Sequence, residues 1–183
     1  MSRSCFTHRL AQPDDIPAIK ALMQAAIEIN MRGFLNEAEI KSASETMGVD
    51  NSLIEDQTYF LIETVERAQT VLVGCGGWGK RRTLYGGNAT KGRDDTLSNP
   101  RTEPARIRAM YTHPDWTRQG IGKYLIALGE NEARLAGFHT IELGSTVPGE
   151  PLYKAMAYVE IGRQQHLGKN GEANVIIHMR KAL

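Results

Sequence analysis

Between an apolar run, Ile107 to Thr112, and an amphipathic stretch, Ile121 to Leu135, lies Thr117-Arg118-Gln119-Gly120-Ile121-Gly122. A turn that ends in Gly-x-Gly and opens a helix leaves several backbone N–H groups unpaired and aimed at one spot, where the helix dipole adds positive potential. That combination is an anion cradle, suited to a pyrophosphate. Gly120 and Gly122 carry no Cβ, so a bulky anion can approach the chain and the turn can visit positive φ without strain. The spacing is not a Walker A loop, because no Gly-Lys-Ser/Thr closes it. It is not the dinucleotide fingerprint either, because Leu125 stands where the third glycine belongs. Alone, a Gly-x-Gly is as readily a plain turn, so its meaning depends on the elements around it.

Other reactive residue types are sparse. Cys75, between Gly74 and Gly76 in an apolar run, is a nucleophile in principle and a buried packing thiol by ordinary expectation. With Cys5 the only other cysteine in 183 residues, no disulfide framework is expected. His166 and His178 have no second ligand at metal spacing, so no metal site is expected. Lys plus Arg (22) nearly balances Asp plus Glu (21), so the global field neither recruits nucleic acid nor excludes it and any anion selectivity is local. The interleaved Asp94 and Asp95 and the few aromatics argue against nucleic acid as a partner. Met1 to His8 lacks the apolar core of a signal peptide, and no run approaches the ~18 apolar residues of a membrane span. The expectation is a cytoplasmic protein with no membrane partner. Its size suits one domain spanning residues 1–183.

The elements that must position the cradle follow from periodicity. Phe6 to Ala11 reads as a strand, and Pro13-Asp14-Asp15 offers a cap and an acidic first turn to a helix carrying Ile16, Ile19, Leu22, Met23, Ala26 and Ile27 on one face. A second helix is predicted over Asn36 to Met47, with Asn36 as cap, Glu39 in capping-box position and Gly48 as the stop. Tyr59 to Val65 and Thr70 to Trp78 read as a hairpin, its second strand interrupted by Gly74, Gly76 and Gly77 for a bulge or a close approach. Lys80 to Glu103 is a long basic loop, either a solvated extension or an anion-contacting flap. The helix after the cradle should bury Ile121, Leu125, Leu128 and Leu135 and end at Gly137. Thr140 to Ser145 is a further strand, Pro148 to Ala155 a short helix, and Tyr158 to Gln164 and Asn174 to Arg180 two closing strands. This order is α+β, with a mixed sheet.

The run Ile107-Arg-Ala-Met-Tyr-Thr-His-Pro-Asp-Trp-Thr-Arg-Gln-Gly-Ile-Gly-Lys-Tyr-Leu, followed by Pro148-Gly-Glu-Pro-Leu-Tyr-Lys-Ala-Met-Ala-Tyr, resembles the GNAT superfamily of acetyl-CoA-dependent N-acetyltransferases. The resemblance is close over residues 104 to 164, and the flanking elements match in order and type. It implies a GNAT fold: a central twisted, mixed, mostly antiparallel sheet of six to seven strands flanked by about four helices. It implies acetyl-CoA as acyl donor, with the coenzyme A pyrophosphate on Thr117, Arg118, Gln119, Gly120, Ile121 and Gly122, and Lys123 next in line. Thr117 departs from the family's usual Arg or Gln, which weakens a side-chain contact while leaving the main-chain cradle. Met110, Tyr111 and Thr112 become the main-chain partners of the pantetheine arm, and the bulged strand around Met110 polarises the thioester carbonyl.

Tyr153 aligns with the tyrosine that in many members donates a proton to the departing thiolate. A phenol suits that task, since the leaving sulfur has a pKa of about 8.5 and a phenol one of about 10. An aromatic on a short amphipathic helix is otherwise ordinary core. A general base is also needed, and Glu63, Glu103, His113 and Glu142 are available without any one being singled out. The implied reaction is acetyl transfer to a primary amine of a small molecule or peptide, by direct attack in a ternary complex. Many relatives pair as homodimers. A non-catalytic acyl-CoA sensor that keeps the cradle is the rival reading, and a nucleic-acid-linked modifier using the basic loop a second one. The two main readings separate on whether any amine frees the coenzyme A thiol.

Overall fold

The computed structural model describes residues 5–167 and 173–183; the first four residues, read above for targeting character, lie outside them. The chain runs β1 (Thr7–Leu10), α1 (Ile16–Asn30), α2 (Glu37–Thr46), α3 (Asn51–Glu55), β2 (Tyr59–Glu66), β3 (Gln69–Gly79), β4 (Ala105–Thr112), α4 (Ile121–Leu135), β5 (Thr140–Ser145), α5 (Glu150–Ala155), β6 (Val159–Leu167) and β7 (Ala173–Ala182). One seven-stranded sheet, ordered β1-β2-β3-β4-β5-β7-β6, gathers all the strands. Every neighbouring pair is antiparallel except β4 with β5. The expected mixed, mostly antiparallel sheet is borne out.

Strand alternation divides the core between two faces. Phe60, Ile62, Val73, Ile107, Leu143 and Ile177 pack on α4, while Leu61, Cys75 and Tyr111 pack on α1 through Ile19, Leu22 and Met23. Period-2 alternation places neighbours on opposite faces, so each strand serves both cores. No helix among the described residues is long and apolar enough to cross a membrane.

The predicted cap of α2 holds, whereas Asp15 stands before α1 without a side-chain cap bond and the first turn of α1 has no acidic residue. Asn36 Oδ1 accepts from Glu39 N–H at 2.9 Å and Glu39 Oε2 from Asn36 N–H at 2.7 Å, the reciprocal box that starts α2. Gly137, at φ +88, follows the end of α4. The buried stripe of α4 differs from the prediction, however. Ile121 and Leu125 are joined by Ile126, Gly129 and Ala133, whereas Leu135 is 76% exposed. A 3.6-residue period drifts, and the stripe has turned away by the last turn. The sequence reading also lacks α3, whose five residues are capped by Asp50 accepting from Ser52 N–H at 3.1 Å; so short a helix has almost no periodicity to display.

Candidate active site

β4 and β5 pair only at Ala105↔Ile141 and Arg106↔Glu142. From Ile107 onward β4 keeps β3 as its one partner, while β5 turns to β7 through Ser145↔Ile177. The gap between the diverging strands opens into a cleft of about 1000 Å³, at the upper end of ordinary small-ligand sites.

β4 itself is irregular where it borders this cleft. Its pairing with β3 shifts between Cys75 and Gly77, and Ala109 sits at φ +50, left-handed for a residue with a Cβ. The glycines of β3 explain how two strands tolerate this. A Cβ on Gly76 would lie 2.5 Å from Met110 Sδ, and one on Gly77 would meet Thr58 O and come within 2.9 Å of Tyr59 Cα. Both the bulge and the close approach predicted for these glycines are present. Cys75, between Gly74 and Gly76, is fully buried, and burial pushes its thiol up to about 12. A thiol held protonated there is packing, not a nucleophile.

The cradle stands at one end of the cleft. Gly120 caps α4 at φ +91 with open space where a Cβ would be. The first main-chain bond into the helix is Tyr124 N–H to Gly120 O at 3.0 Å, and the amides of residues 118–123 have no acceptor among the described residues. These are the donors that an N-terminus leaves over. Gly122 serves another purpose: a Cβ there would lie 2.7 Å from Leu152 Cδ2, so its bareness lets α5 pack against the start of α4. Arg118 and Lys123 are exposed, and neither forms an ion pair among the described residues. Thr117 Oγ1 donates locally to Pro114 O at 3.3 Å.

That packing brings Tyr153, on α5, to the same cleft. It is 8% exposed, its ring meets Tyr158 edge-on at 5.9 Å, and burial raises its pKa well above the ordinary phenol. It therefore keeps its proton at neutral pH and presents an O–H donor. Met110, Tyr111, Thr112, Thr117, Arg118, Gly120, Ile121, Gly122, Lys123 and Tyr153 all border the cleft, and Gln119 does not. Thr112 O accepts from Asn30 Nδ2 at 2.8 Å, which ties the end of α1 to the end of β4 and leaves that carbonyl one lone pair.

Residues 23–158 match the sequence profile of the Acetyltransferase (GNAT) family. The chain belongs to this family. Its fold is similar to that of the GCN5-related N-acetyltransferase from Rhodopseudomonas palustris, with a TM-score of 0.69 at 19% identity over 100% of this chain and 99% of that one. The PaiA N-acetyltransferase from Thermoplasma acidophilum, solved in complex with coenzyme A, gives 0.60 at 13% identity over 98% and 99%. YncA from Salmonella typhimurium, solved with its cofactor acetyl-CoA, gives 0.60 at 18% identity over 98% and 95%. At such identities the likeness speaks for the fold. No curated protein matches this chain in sequence.

Within this GNAT chain the carboxylates and imidazole considered as bases are engaged elsewhere. Glu63 accepts from Arg9 at 3.0 Å, Glu103 from Arg82 at 2.7 Å, and Glu142 from Arg180 at 2.6 Å, with His178 2.8 Å away. His113 Nδ1 accepts from Asp115 N–H at 3.3 Å. None of the four borders the cleft. The His166 side chain lies outside the described residues.

The 80–103 loop departs from the anion-contacting flap. Arg81 bonds Asp56 at 2.7 Å, Arg82 bonds Glu103, and Arg93 reaches Asp50 at 2.9 Å and Asp95 at 2.8 Å. Composition shows the sign of these charges but not their partners. What the loop gives the cleft is Leu84, Tyr85, Gly86 and Thr90. Behind them Arg108, 3% exposed, donates to Asp50 Oδ2 at 2.7 Å, Thr83 O at 3.0 Å and Gly86 O at 2.8 Å. Burial lowers its pKa, with Asp50 pulling the other way. Asp50, Arg93 and Arg108 thus fasten the loop to the sheet.

Proposed function

We propose that this chain transfers an acetyl group from acetyl-CoA to a primary amine by direct attack in a ternary complex, acting as a single domain. The observation that carries the reading is the meeting of a helix N-terminus without a side-chain cap, a bulged strand and a buried protonated phenol in one cleft. Family membership and the ligands of the Thermoplasma and Salmonella proteins support the same cofactor.

Bound acetyl-CoA would supply the acetyl group on a thioester. The amides of Arg118 to Lys123 would hold its diphosphate, with Arg118 and Lys123 adding positive charge at the mouth. The main chain of Met110 to Thr112 would pair with the pantetheine amides, and the bulge at Ala109 and Met110 would face the thioester carbonyl as an oxyanion-type donor. The amine nitrogen attacks the carbonyl carbon, the C–S bond breaks, and Tyr153 O–H passes its proton to the leaving sulfur. The proton shed by the nitrogen restores the phenol, so the products are the N-acetyl amine and free thiol. No carboxylate or imidazole borders the cleft among the described residues, so water is the first carrier of that second proton.

The same scarcity of bases favours the rival, an acyl-CoA sensor. One experiment decides: thiol release from acetyl-CoA over a panel of amines, beside calorimetric binding of the cofactor. Binding with amine-dependent release supports the enzyme, and binding with none supports the sensor.

A further inference from the structure

One wall of the cleft is built from groups far apart in the chain. Ile27 comes from the end of α1, Met31 and Phe34 from just beyond it, Leu84 and Tyr85 from the long loop, and Ile176 from β7. All six are uncharged. Phe34 is 60% exposed, an aromatic ring held at the rim instead of folded into a core. Tyr85 lies over Gly144 of β5: a Cβ there would stand 3.1 Å from Tyr85 Cδ1 and 2.9 Å from Ile176 Cγ2. Only a glycine at 144 lets the ring and the isoleucine close over the strand beside the split.

Arg81, Arg82 and Arg93 of the loop are paired as described above with Asp56, Glu103, Asp50 and Asp95, and none of the loop's cations borders the cleft. Arg108, which does border it, is balanced by Asp50. Among the described residues no carboxylate borders the cleft to receive a second cation. Desolvating an unpaired ammonium is costly, whereas an apolar body gains from leaving water.

We infer that the acceptor is a monoamine whose amino group is carried on an uncharged, apolar body packed against Phe34, Leu84 and Tyr85. Polyamines and aminoglycosides fall outside this class. The inference rests on the acetyltransferase reading.

The test measures kcat/KM by thiol release for 2-phenylethylamine, hexylamine and spermidine, with acetyl-CoA affinity followed by calorimetry. We expect the two apolar monoamines to exceed spermidine by about tenfold or more. Tyr85→Ala, and independently Phe34→Ala at the exposed rim, should each lower kcat/KM for 2-phenylethylamine about fivefold or more and leave cofactor affinity unchanged. A preference for spermidine, two silent variants, or no release with any of the three while cofactor binds would overturn the inference. Failure to bind acetyl-CoA at all would remove the acetyltransferase reading itself, and the acceptor class with it.

Discussion

The Tyr59 hydroxyl donates to the main-chain oxygen of Ala109 at 2.8 Å, and Ala109 is the residue of β4 held at φ +50. A left-handed alanine costs about 1–2 kcal/mol, so a buried phenol on β2 pins the irregularity that shapes the cleft. Tyr59→Phe keeps the packing and removes the pin. We expect a loss of about 1–2 kcal/mol in stability and a lower kcat with unchanged acetyl-CoA affinity. Denaturant melts and steady-state kinetics check this, and an unaltered kcat would uncouple the bulge from catalysis.

Gly77 is the glycine with least room. A methyl there meets the main chain at Thr58 O and Tyr59 Cα, and backbone cannot rotate aside as a side chain can. Gly77→Ala should destabilise by about 2–3 kcal/mol or more. Gly122→Ala meets only the mobile end of Leu152 and should lose less. Equal melting midpoints for the two would contradict this ordering.

Tyr153→Phe preserves the edge-on contact with Tyr158 and deletes one hydroxyl. Cofactor affinity should hold while turnover falls about tenfold or more. Turnover at the wild-type rate would take Tyr153 out of the mechanism.

Stability should fall in acid. Burial pushes the Glu142 carboxyl up, but its bonds to Arg180 and His178, with Arg106 nearby, outweigh this and hold it below the usual range. Asp15 is lowered too, chiefly by Arg9. Depressed folded-state values mean that the unfolded chain binds more protons, so stability is complete above about pH 5 and is lost as pH drops through the folded values. Denaturation midpoints between pH 6 and 3 should decline. Glu142→Gln should flatten that decline and lower the midpoint at neutral pH, because Arg180, Arg106 and a buried site lose their counter-charge. A midpoint independent of pH over this range would show that these pairs contribute nothing.

Much of this was legible in sequence because it is local. The cradle lies within six consecutive residues, Asn36 and Glu39 are three apart, and the strands display their own alternation. The wall proposed for the acceptor joins Ile27, Phe34, Tyr85, Gly144 and Ile176, which only the tertiary fold brings together. The 80–103 loop misleads for a related reason: its arginines are visible, while Asp56, which pairs with Arg81, and Asp50, which pairs with Arg93, lie 25 and 43 residues away on either side of α3. Sequence offers Gly122 as room for an anion, and only the fold adds that a Cβ there would also meet Leu152.

The central claim is that main-chain amides at the start of α4 hold the coenzyme A diphosphate. A crystal structure of this chain with coenzyme A tests it directly. Diphosphate oxygens should stand about 2.7–3.2 Å from amide nitrogens within residues 118–123. A diphosphate bound elsewhere, or a cleft that stays free of cofactor at saturating concentration, would contradict the account.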